Sequence, residues 1–179
     1  MRTVLALHFL ALLLLTIAAF AQDPAAISAA ETACGPNNVK FDVKDDDSRH
    51  TVAQPEAGKA LVYVLQDMGI ANCPGGCITT KVALDGAWIG ANHRSSYLYV
   101  AVDPGEHHLC ASWQSKVVLG AGLQTAVAHF TAEAGKAYYF KARNNWNRYS
   151  TTGIELGPLD DDEAQLLMSK FAFSASHPK

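Results

Sequence analysis

The apolar residues of this chain come in short runs that alternate with polar residues or are rich in β-branched and aromatic side chains. Such runs are typical of β-strands, because helices need longer stretches with apolar positions three and four residues apart. Val39–Val43 is a candidate first strand. From Lys59 onward we predict strands at Ala60–Leu65, Ile78–Leu84, Trp88–Ala91, Tyr97–Val102, His107–Trp113, Thr125–Thr131, Ala137–Ala142 and Thr151–Leu156.

Turn residues separate these runs at short intervals. Asp85-Gly86 can supply the two positive-φ residues of a tight type I′ hairpin, and Asp103-Pro104-Gly105 suits a turn that begins on proline. Few segments have a helical pattern, which disfavours a parallel α/β sheet. We therefore predict an all-β fold, an antiparallel β-sandwich of about seven to eight strands with a short C-terminal α-helix.

The helix is predicted from the segment that follows Asp160. Asp160 is a suitable N-cap, and Glu163 stands three residues later, as in a capping box. The apolar stripe is formed by Ala164, Leu167, Met168 and Phe171. The four-acid cluster at this point is thus explained as a helix start, since it lacks the spaced ligands and the glycine of a calcium loop.

The N-terminus has the pattern of a secretory signal. Arg2 precedes the apolar run Val4–Phe20, and Ala19-Phe20-Ala21 offers small residues at the two positions that a signal peptidase reads. No cysteine directly follows the apolar run, so lipidation is not expected. We predict four segments, which are a signal peptide at 1–21, an N-terminal segment at 22–56 (a short helix or a linker, with the candidate first strand), a β-sandwich core at 57–157, and a C-terminal helix and tail at 158–179.

Charge argues against two classes of partner. The formal net charge is −3, and the acidic residues cluster in Asp45–Asp47 and Asp160–Glu163. Because the chain has no patch rich in lysine and arginine, nucleic acid and anionic membranes are poor partners. We expect a periplasmic or secreted protein without a stable membrane anchor once the signal is cleaved after Ala21.

Four cysteines follow the predicted signal, and in an exported chain an even number indicates two disulfides. Four cysteines allow three pairings. The Pro-Gly-Gly sequence between Cys73 and Cys77 favours a small closed loop, which would leave Cys34 to pair with Cys110. The alternative is a metal site at Cys73 and Cys77, but the second cysteine pair or the histidine pair of a structural zinc site is missing.

The chain shows no catalytic motif, such as a nucleophile elbow, a phosphate-binding glycine loop or a zinc-protease helix. Ser95 and Ser96 near His93 and Asp103 invite a triad, but no spacing rule supports it. No cofactor is expected. A metal site would need the fold to bring distant histidines together, and its candidate ligands are His93, His107, His108 and His129.

Aromatic residues are frequent in or beside the predicted strands, where most should fill the core. The stretch Arg143–Tyr149 is too polar and too aromatic for a plain hairpin loop. Exposed aromatic side chains beside polar ones can bind glycans or proteins. The candidate binding surface consists of Trp88, His93, Trp146 and Arg148.

Four sequence pieces, in order, carry a family resemblance: Gly58–Val64 (GKALVYV), Leu84–Gly90 (LDGAWIG), Tyr97–Cys110 with its Val-Asp-Pro-Gly-Glu-His, and Ala134–Phe140 (AGKAYYF). Together they resemble domain-of-unknown-function family 2846, a group of bacterial exported proteins and lipoproteins, over about residues 57–157. The Asp-Gly…Ile-Gly…Pro-Gly-x-His part also looks like the PEGA-type β-sandwich repeat of bacterial surface proteins. The family has no assigned activity, so the resemblance implies no catalytic residue.

The pattern and the resemblance favour a non-catalytic module of the cell envelope that binds a protein or a glycan. Two alternatives stay open. One is a metal-binding protein or metal-dependent enzyme that uses the histidines, and the other is a structural module that associates with its own copies.

Overall fold

The structure is a computed structural model, and it describes residues 32–50, 52–68, 77–114, 124–144 and 153–179. These ranges form ten strands and one helix. The strands are β1 (Phe41–Asp46), β2 (Ala60–Asp67), β3 (Thr79–Leu84), β4 (Ala87–His93), β5 (Ser96–Val102), β6 (Gly105–Trp113), β7 (Thr125–Ala132), β8 (Ala137–Asn144), β9 (Ile154–Pro158) and β10 (Ala172–Pro178). The helix α1 (Asp161–Met168) lies between β9 and β10.

The strands form two sheets. The larger has the order β1-β10-β5-β2-β8-β9, and the smaller has the order β4-β3-β6-β7. The predicted all-β sandwich with a short C-terminal helix is confirmed. The pairing is more mixed than predicted, because β2 pairs with β8 and β5 pairs with β10 in parallel. Parallel neighbours need long connections, which here run through the smaller sheet and through α1, and short apolar runs do not reveal strand direction.

Strand β2 is buried on both faces. Ala60, Val62 and Val64 point into the core between the sheets, where they pack with residues such as Leu109 and Phe140. The alternate residues of β2 point to the other face of the larger sheet and pack beneath α1. This double burial explains why the strand is an unbroken apolar run instead of an alternating one.

Helix α1 covers the outer face of the larger sheet. Its N-cap is Asp160, as predicted, and the Asp160 side chain accepts hydrogen bonds from the backbone N–H groups of Asp162 and Glu163. The Glu163 carboxylate is paired with Lys141 of β8. The buried stripe residues Ala164, Met168 and Phe171 pack against Tyr63 and Tyr139 and other apolar residues of the sheet face.

The chain after α1 does not end as a tail. Residues 172–178 form β10, which lies inside the larger sheet between β1 and β5. Strand β1 begins at Phe41, two residues later than the candidate first strand, and continues through Asp46. Both strands lie outside the predicted core of 57–157. Sequence reasoning missed β10 because its buried residues Ala172 and Ser174 are small and give a weak hydrophobic pattern.

The turn chemistry agrees with the sequence. Asp85 and Gly86 have φ of 50° and 81°, as the predicted type I′ hairpin between β3 and β4 requires. Several predictions lie outside the described residues, including the signal peptide, residues 22–31 and positions 151–152 of the last predicted strand. Within the described ranges, no helix has the length and apolar character needed to span a membrane.

Candidate functional site

The Trp88 indole holds the N-terminal segment 32–39 against the outer face of the smaller sheet. Its Nε1 donates a hydrogen bond to the carbonyl oxygen of Pro36 at 2.7 Å, and the Lys81 ammonium lies 4.0 Å from the centre of the ring. Lys81 also donates to the carbonyl of Val39, and burial lowers the pKa of its amine. A Cβ on Gly35 would lie 2.4 Å from the Trp88 ring. Trp88 therefore has intramolecular partners on several sides.

A disulfide fixes the same segment. Cys34 is bonded to Cys110 of β6, which is fully buried, and their sequence separation is 76 residues. This is the long bridge that the sequence favoured. Cys77 is also disulfide-bonded, whereas Cys73 lies outside the described residues, so the pairing of these two stays a prediction.

His93 stands at the end of β4 and contacts a carboxylate from the edge of the larger sheet. Its Nδ1 lies 3.1 Å from Oδ2 of Asp45, and both side chains are mostly buried. The backbone N–H of His93 donates to Oγ of Ser96, and Ser174 donates to the same oxygen. The sequence offered no sign of this pairing, because Asp45 lies in an acidic run far from His93 in the chain.

The triad that Ser95, Ser96, His93 and Asp103 suggest is not assembled. Ser95 Oγ donates to the carbonyl of Met68, and Asp103 pairs with Lys59 at 2.7 Å. The Ser95 hydroxyl thus bonds to the Met68 backbone, and the Ser96 hydroxyl accepts from the His93 backbone and from Ser174. What the arrangement provides is a fixed imidazole that ties β4 to β1.

Three fully buried polar side chains lie in the core below His93. Asn92 of the smaller sheet donates across the sandwich to the carbonyl of Val64, and Gln66 of the larger sheet donates to the carbonyl of Ile78. Thr80 is paired with Asn92 across β3 and β4. The side-chain oxygens of Gln66, Thr80 and Asn92 have no hydrogen-bond partner among the described residues. The two amides therefore join the sheets at this end.

The four candidate metal-binding histidines do not converge. His93 pairs with Asp45, and His107 lies on the opposite face of β6 from His108. Only His108 and His129 meet, with ring centres 5.1 Å apart, and Glu106 contacts His129. In the described part of the chain, no group of three or more His, Cys, Asp or Glu residues could hold a metal ion.

His107 is held between two acceptors. Its Nδ1 lies 2.7 Å from Oδ2 of Asp85, and its Nε2 lies 2.7 Å from the carbonyl oxygen of Asp103. Burial lowers the pKa of His107, but the hydrogen bonds to Asp103 and Asp85 outweigh burial and raise the pKa overall. Because both acceptors favour a protonated nitrogen, the imidazolium stabilises the turn between β3 and β4, which contains Asp85, and the turn between β5 and β6, which contains Asp103.

A groove of about 380 Å³ opens at the side of the sandwich, where β7 separates from β8 and from the end of β9. Its walls are mainly apolar and aromatic, and Phe130 contacts the rings of both Tyr138 and Phe140 at about 5 Å. The apolar lining is completed by Ala128, Pro158 and Leu159. The lining also includes Asp161 and His129, and the exposed His129 side chain alternates along β7 with the inward-pointing Ala128 and Phe130. Sequence reasoning assigned these aromatic residues to the core and did not show that they border an opening.

Strand β7 forms the rim of this groove and is the last strand of the smaller sheet. Hydrogen bonds of an antiparallel ladder alternate along each strand. The N–H of Trp113 donates to the carbonyl of Gln124. With the register of the two strands, this bond shows that every second residue from Gln124 onward bonds to β6. The backbone N–H and C=O groups that point away from β6 therefore belong to Thr125, Val127, His129 and Thr131.

Of the predicted binding surface, the structure describes Trp88 and His93, which lie near opposite ends of β4 and have intramolecular partners. Trp146 and Arg148 lie outside the described residues, so their role stays a prediction. The groove beside β7 combines mainly apolar walls with a strand edge that has no further neighbouring strand among the described residues.

Comparison with known proteins yields one family. The model of the family described as "Protein of unknown function (DUF2846)" matches residues 56–153, which include β2 through β8. This match confirms the first of the two resemblances, while the likeness to PEGA-type turns stays a prediction. No curated protein and no solved structure matches the chain.

Proposed function

This chain belongs to the DUF2846 family, and from that premise we propose that it is an exported, non-catalytic module of the cell envelope that binds a protein partner in the groove beside β7. The groove carries this proposal. Concave, largely apolar sites with a few polar groups are the usual form of binding sites. Phe130 and Tyr138 are only partly buried, so their rings are available to an apolar side chain that enters the groove.

The proposed location has support from the cysteines and the N-terminus. The predicted signal at 1–21 would direct the chain out of the cytoplasm. The disulfide between Cys34 and Cys110 is of the kind that persists in oxidising compartments such as the periplasm. Detection of the disulfide-bonded chain, shortened after Ala21, in a periplasmic or secreted fraction tests this part of the proposal.

The non-catalytic part of the proposal has support from the surroundings of His93. The imidazole is tied to Asp45, and Ser96 beside it accepts bonds from the His93 backbone and from Ser174. A hydrolase of the serine type needs a hydroxyl bonded to the imidazole itself. The arrangement around His93 serves the joint between the sheets.

The groove is tested with displayed peptides. A library of random peptides of about twelve residues, a length sufficient for an extended peptide to line a groove, is panned against the purified protein and against two variants. Pro158→Arg places a long charged side chain at the exposed rim of the groove. Leu166→Arg is the matched control, since it makes the same type of change at an exposed site on α1 that is not part of the groove lining.

We expect enriched peptides that bind the unmodified protein and Leu166→Arg but not Pro158→Arg. Melting curves of both variants check that the fold is kept. Failure to enrich any peptide, or enrichment of peptides that bind Pro158→Arg equally well, would overturn the groove as the binding site.

A further inference from the structure

We propose that the partner binds as an added strand, in which an extended segment of another protein pairs with the free edge of β7 and becomes the fifth strand of the smaller sheet. This inference rests on the proposed function, because it names the chemistry of the occupant of the same groove. Three observations carry it: the protection of the other sheet edges, the exposed backbone of β7, and the charge at the end of the groove.

The edge of the larger sheet at β1 is blocked by a side chain. The N–H of Phe41 donates to Oε1 of Gln114 at 2.6 Å, and Nε2 of Gln114 donates to the carbonyl oxygen of Phe41 at 3.0 Å. At Phe41, the amide of Gln114 thus makes the two bonds that a residue of a neighbouring strand would make. An incoming strand would have to displace it.

The edges at β4 and β9 are protected in other ways. On β4, the N–H groups of Ala91 and His93 donate to the hydroxyls of Ser176 and Ser96. Strand β9 has only five residues and ends in Pro158, which has no N–H. Short length, proline and covering side chains are the usual means by which proteins prevent unwanted strand pairing.

Among the described residues, strand β7 has neither the proline nor the covering side chains of the other edges, although β9 lies beside it near Ala126. Strand β7 has eight residues and contains no proline, lysine or arginine. Within the described ranges, no hydrogen bond occupies the outward backbone groups of Thr125, Val127, His129 and Thr131. Val127 and His129 are also exposed, with Val127 at 42%. An edge this long is left open at a cost in aggregation risk, which a binding function explains.

The groove determines the side-chain pattern of the partner. Residues opposite each other on neighbouring antiparallel strands point to the same face. Partner residues opposite Ala128 and Phe130 therefore enter the apolar groove, while those opposite Val127 and His129 lie on the solvent-exposed outer face. The fitting segment has apolar or aromatic residues at every second position and polar residues between them.

Charge favours a basic residue at one end of that segment. Asp161 lines the groove, and its neighbours, the N-cap residue Asp160 and the first-turn residue Asp162, are exposed. Attraction between exposed charges extends over about 10 Å at ordinary salt. A lysine or arginine of the partner that approaches α1 is thus stabilised, and a glutamate there is repelled.

The probe is a synthetic peptide in which threonine alternates with phenylalanine and valine and which has a lysine at each end. Its two controls are the same peptide with glutamate at both ends and the same peptide N-methylated at the amides that would face β7. Binding to the full purified protein is followed by calorimetry and by NMR hydrogen exchange of the β7 amides. The same measurements are made on two variants of the protein. Val127→Pro removes one outward N–H without removing a bond to β6, and its control Val127→Thr retains that N–H.

We expect the lysine peptide to slow exchange of the Val127 and His129 amides about tenfold or more, a change of about 1.4 kcal/mol. The Ala126 and Ala128 amides face β6, so their exchange should change little. Val127→Pro should weaken binding at least about tenfold, and Val127→Thr should bind like the unmodified protein. The glutamate and N-methylated peptides should bind more weakly.

Each contrary result has a distinct meaning. If Val127→Pro binds the peptide normally while Pro158→Arg does not, strand addition is wrong and the groove function stands. If neither variant affects binding, or if the probe does not bind at about 1 mM, strand addition is overturned, and the library experiment decides the groove function separately. If the protein dimerises and Val127→Pro makes it monomeric, then β7 pairs with a second copy of this chain. The proposal that a segment of another protein pairs with β7 is then wrong.

Discussion

Removal of the long disulfide should destabilise the protein mainly through its unfolded state. The perturbation is the double substitution Cys34→Ala/Cys110→Ala, which leaves no buried free thiol. The bridge closes a loop of 76 residues, and the chain-entropy relation gives about 15 cal/mol/K, or about 4.5 kcal/mol at 25 °C, for such a loop. Folded domains of this size have a free energy of unfolding of about 5–15 kcal/mol, so this loss is large.

The folded state should change little, because segment 32–39 has further attachments. The N–H of Gly86 donates to the carbonyl of Ala33 at 3.1 Å, and the bonds of Trp88 to Pro36 and of Lys81 to Val39 remain. Ala33 itself is buried beside Ala83. We therefore expect the NMR chemical shifts of backbone amides in the two sheets, outside segment 32–39, to match those of the unmodified protein.

Urea unfolding under non-reducing conditions measures the effect. We expect the free energy of unfolding to fall by about 3–4.5 kcal/mol. We also expect this free energy to depend more steeply on urea concentration, since the unfolded chain without the bridge exposes more surface. A loss below about 1 kcal/mol with an unchanged slope would refute the reasoning that the bridge acts by restricting the unfolded chain. A widespread change of amide shifts would instead show that the bridge holds the folded sheets in place.

Three further predictions concern single side chains. Gly35→Ala should lower the free energy of unfolding by about 1–3 kcal/mol in chemical denaturation, because the new Cβ would meet the Trp88 ring at 2.4 Å; an unchanged midpoint would contradict this. Because the pKa of His107 is raised in the fold, the stability that its imidazolium supplies is present below about pH 6.5 and lost as pH rises through the raised pKa. Unfolding measured from pH 5.5 to 8.5 should thus show a decline that His107→Gln reduces, and equal pH profiles would exclude a role for the bond to Asp85. Thr80→Val should leave stability unchanged or raise it by up to about 1 kcal/mol, since the buried hydroxyl has no partner among the described residues; a loss above about 1 kcal/mol in urea unfolding would show that the hydroxyl is bonded.

Much of the local structure was predictable from the chain alone. Ala60–Leu65 was predicted as a strand because its apolar run is rich in β-branched residues, and it lies within β2. Asp85-Gly86 adopts the turn that its residue types favour, and Asp160 caps the helix that its side chain can start. These predictions held because each depends on contacts between residues that are close in sequence.

The candidate site was much less predictable. Phe130 and Tyr138 looked like core residues, and nothing in their local pattern distinguishes a core position from the wall of an open groove. Trp88 looked like a surface residue available for binding, yet in the fold its ring packs against Gly35 and Lys81. In each case the deciding neighbours are far away in the chain.

The sequence by itself predicted most of the strands, the turns and the helix start, since residue types and short-range sterics select these features. It favoured the long disulfide only through the turn residues between Cys73 and Cys77 and left the other pairings open. Only the tertiary structure decided that β10 enters the larger sheet and that β2 and β8 run in parallel. It also decided that Gln114 covers the β1 edge at Phe41 and that β7 has no further neighbouring strand among the described residues. Strand order and edge exposure depend on which distant runs bury one another's surface. Because several strand orders would bury these apolar runs equally well, the strand order is selected only by the packing of the whole chain.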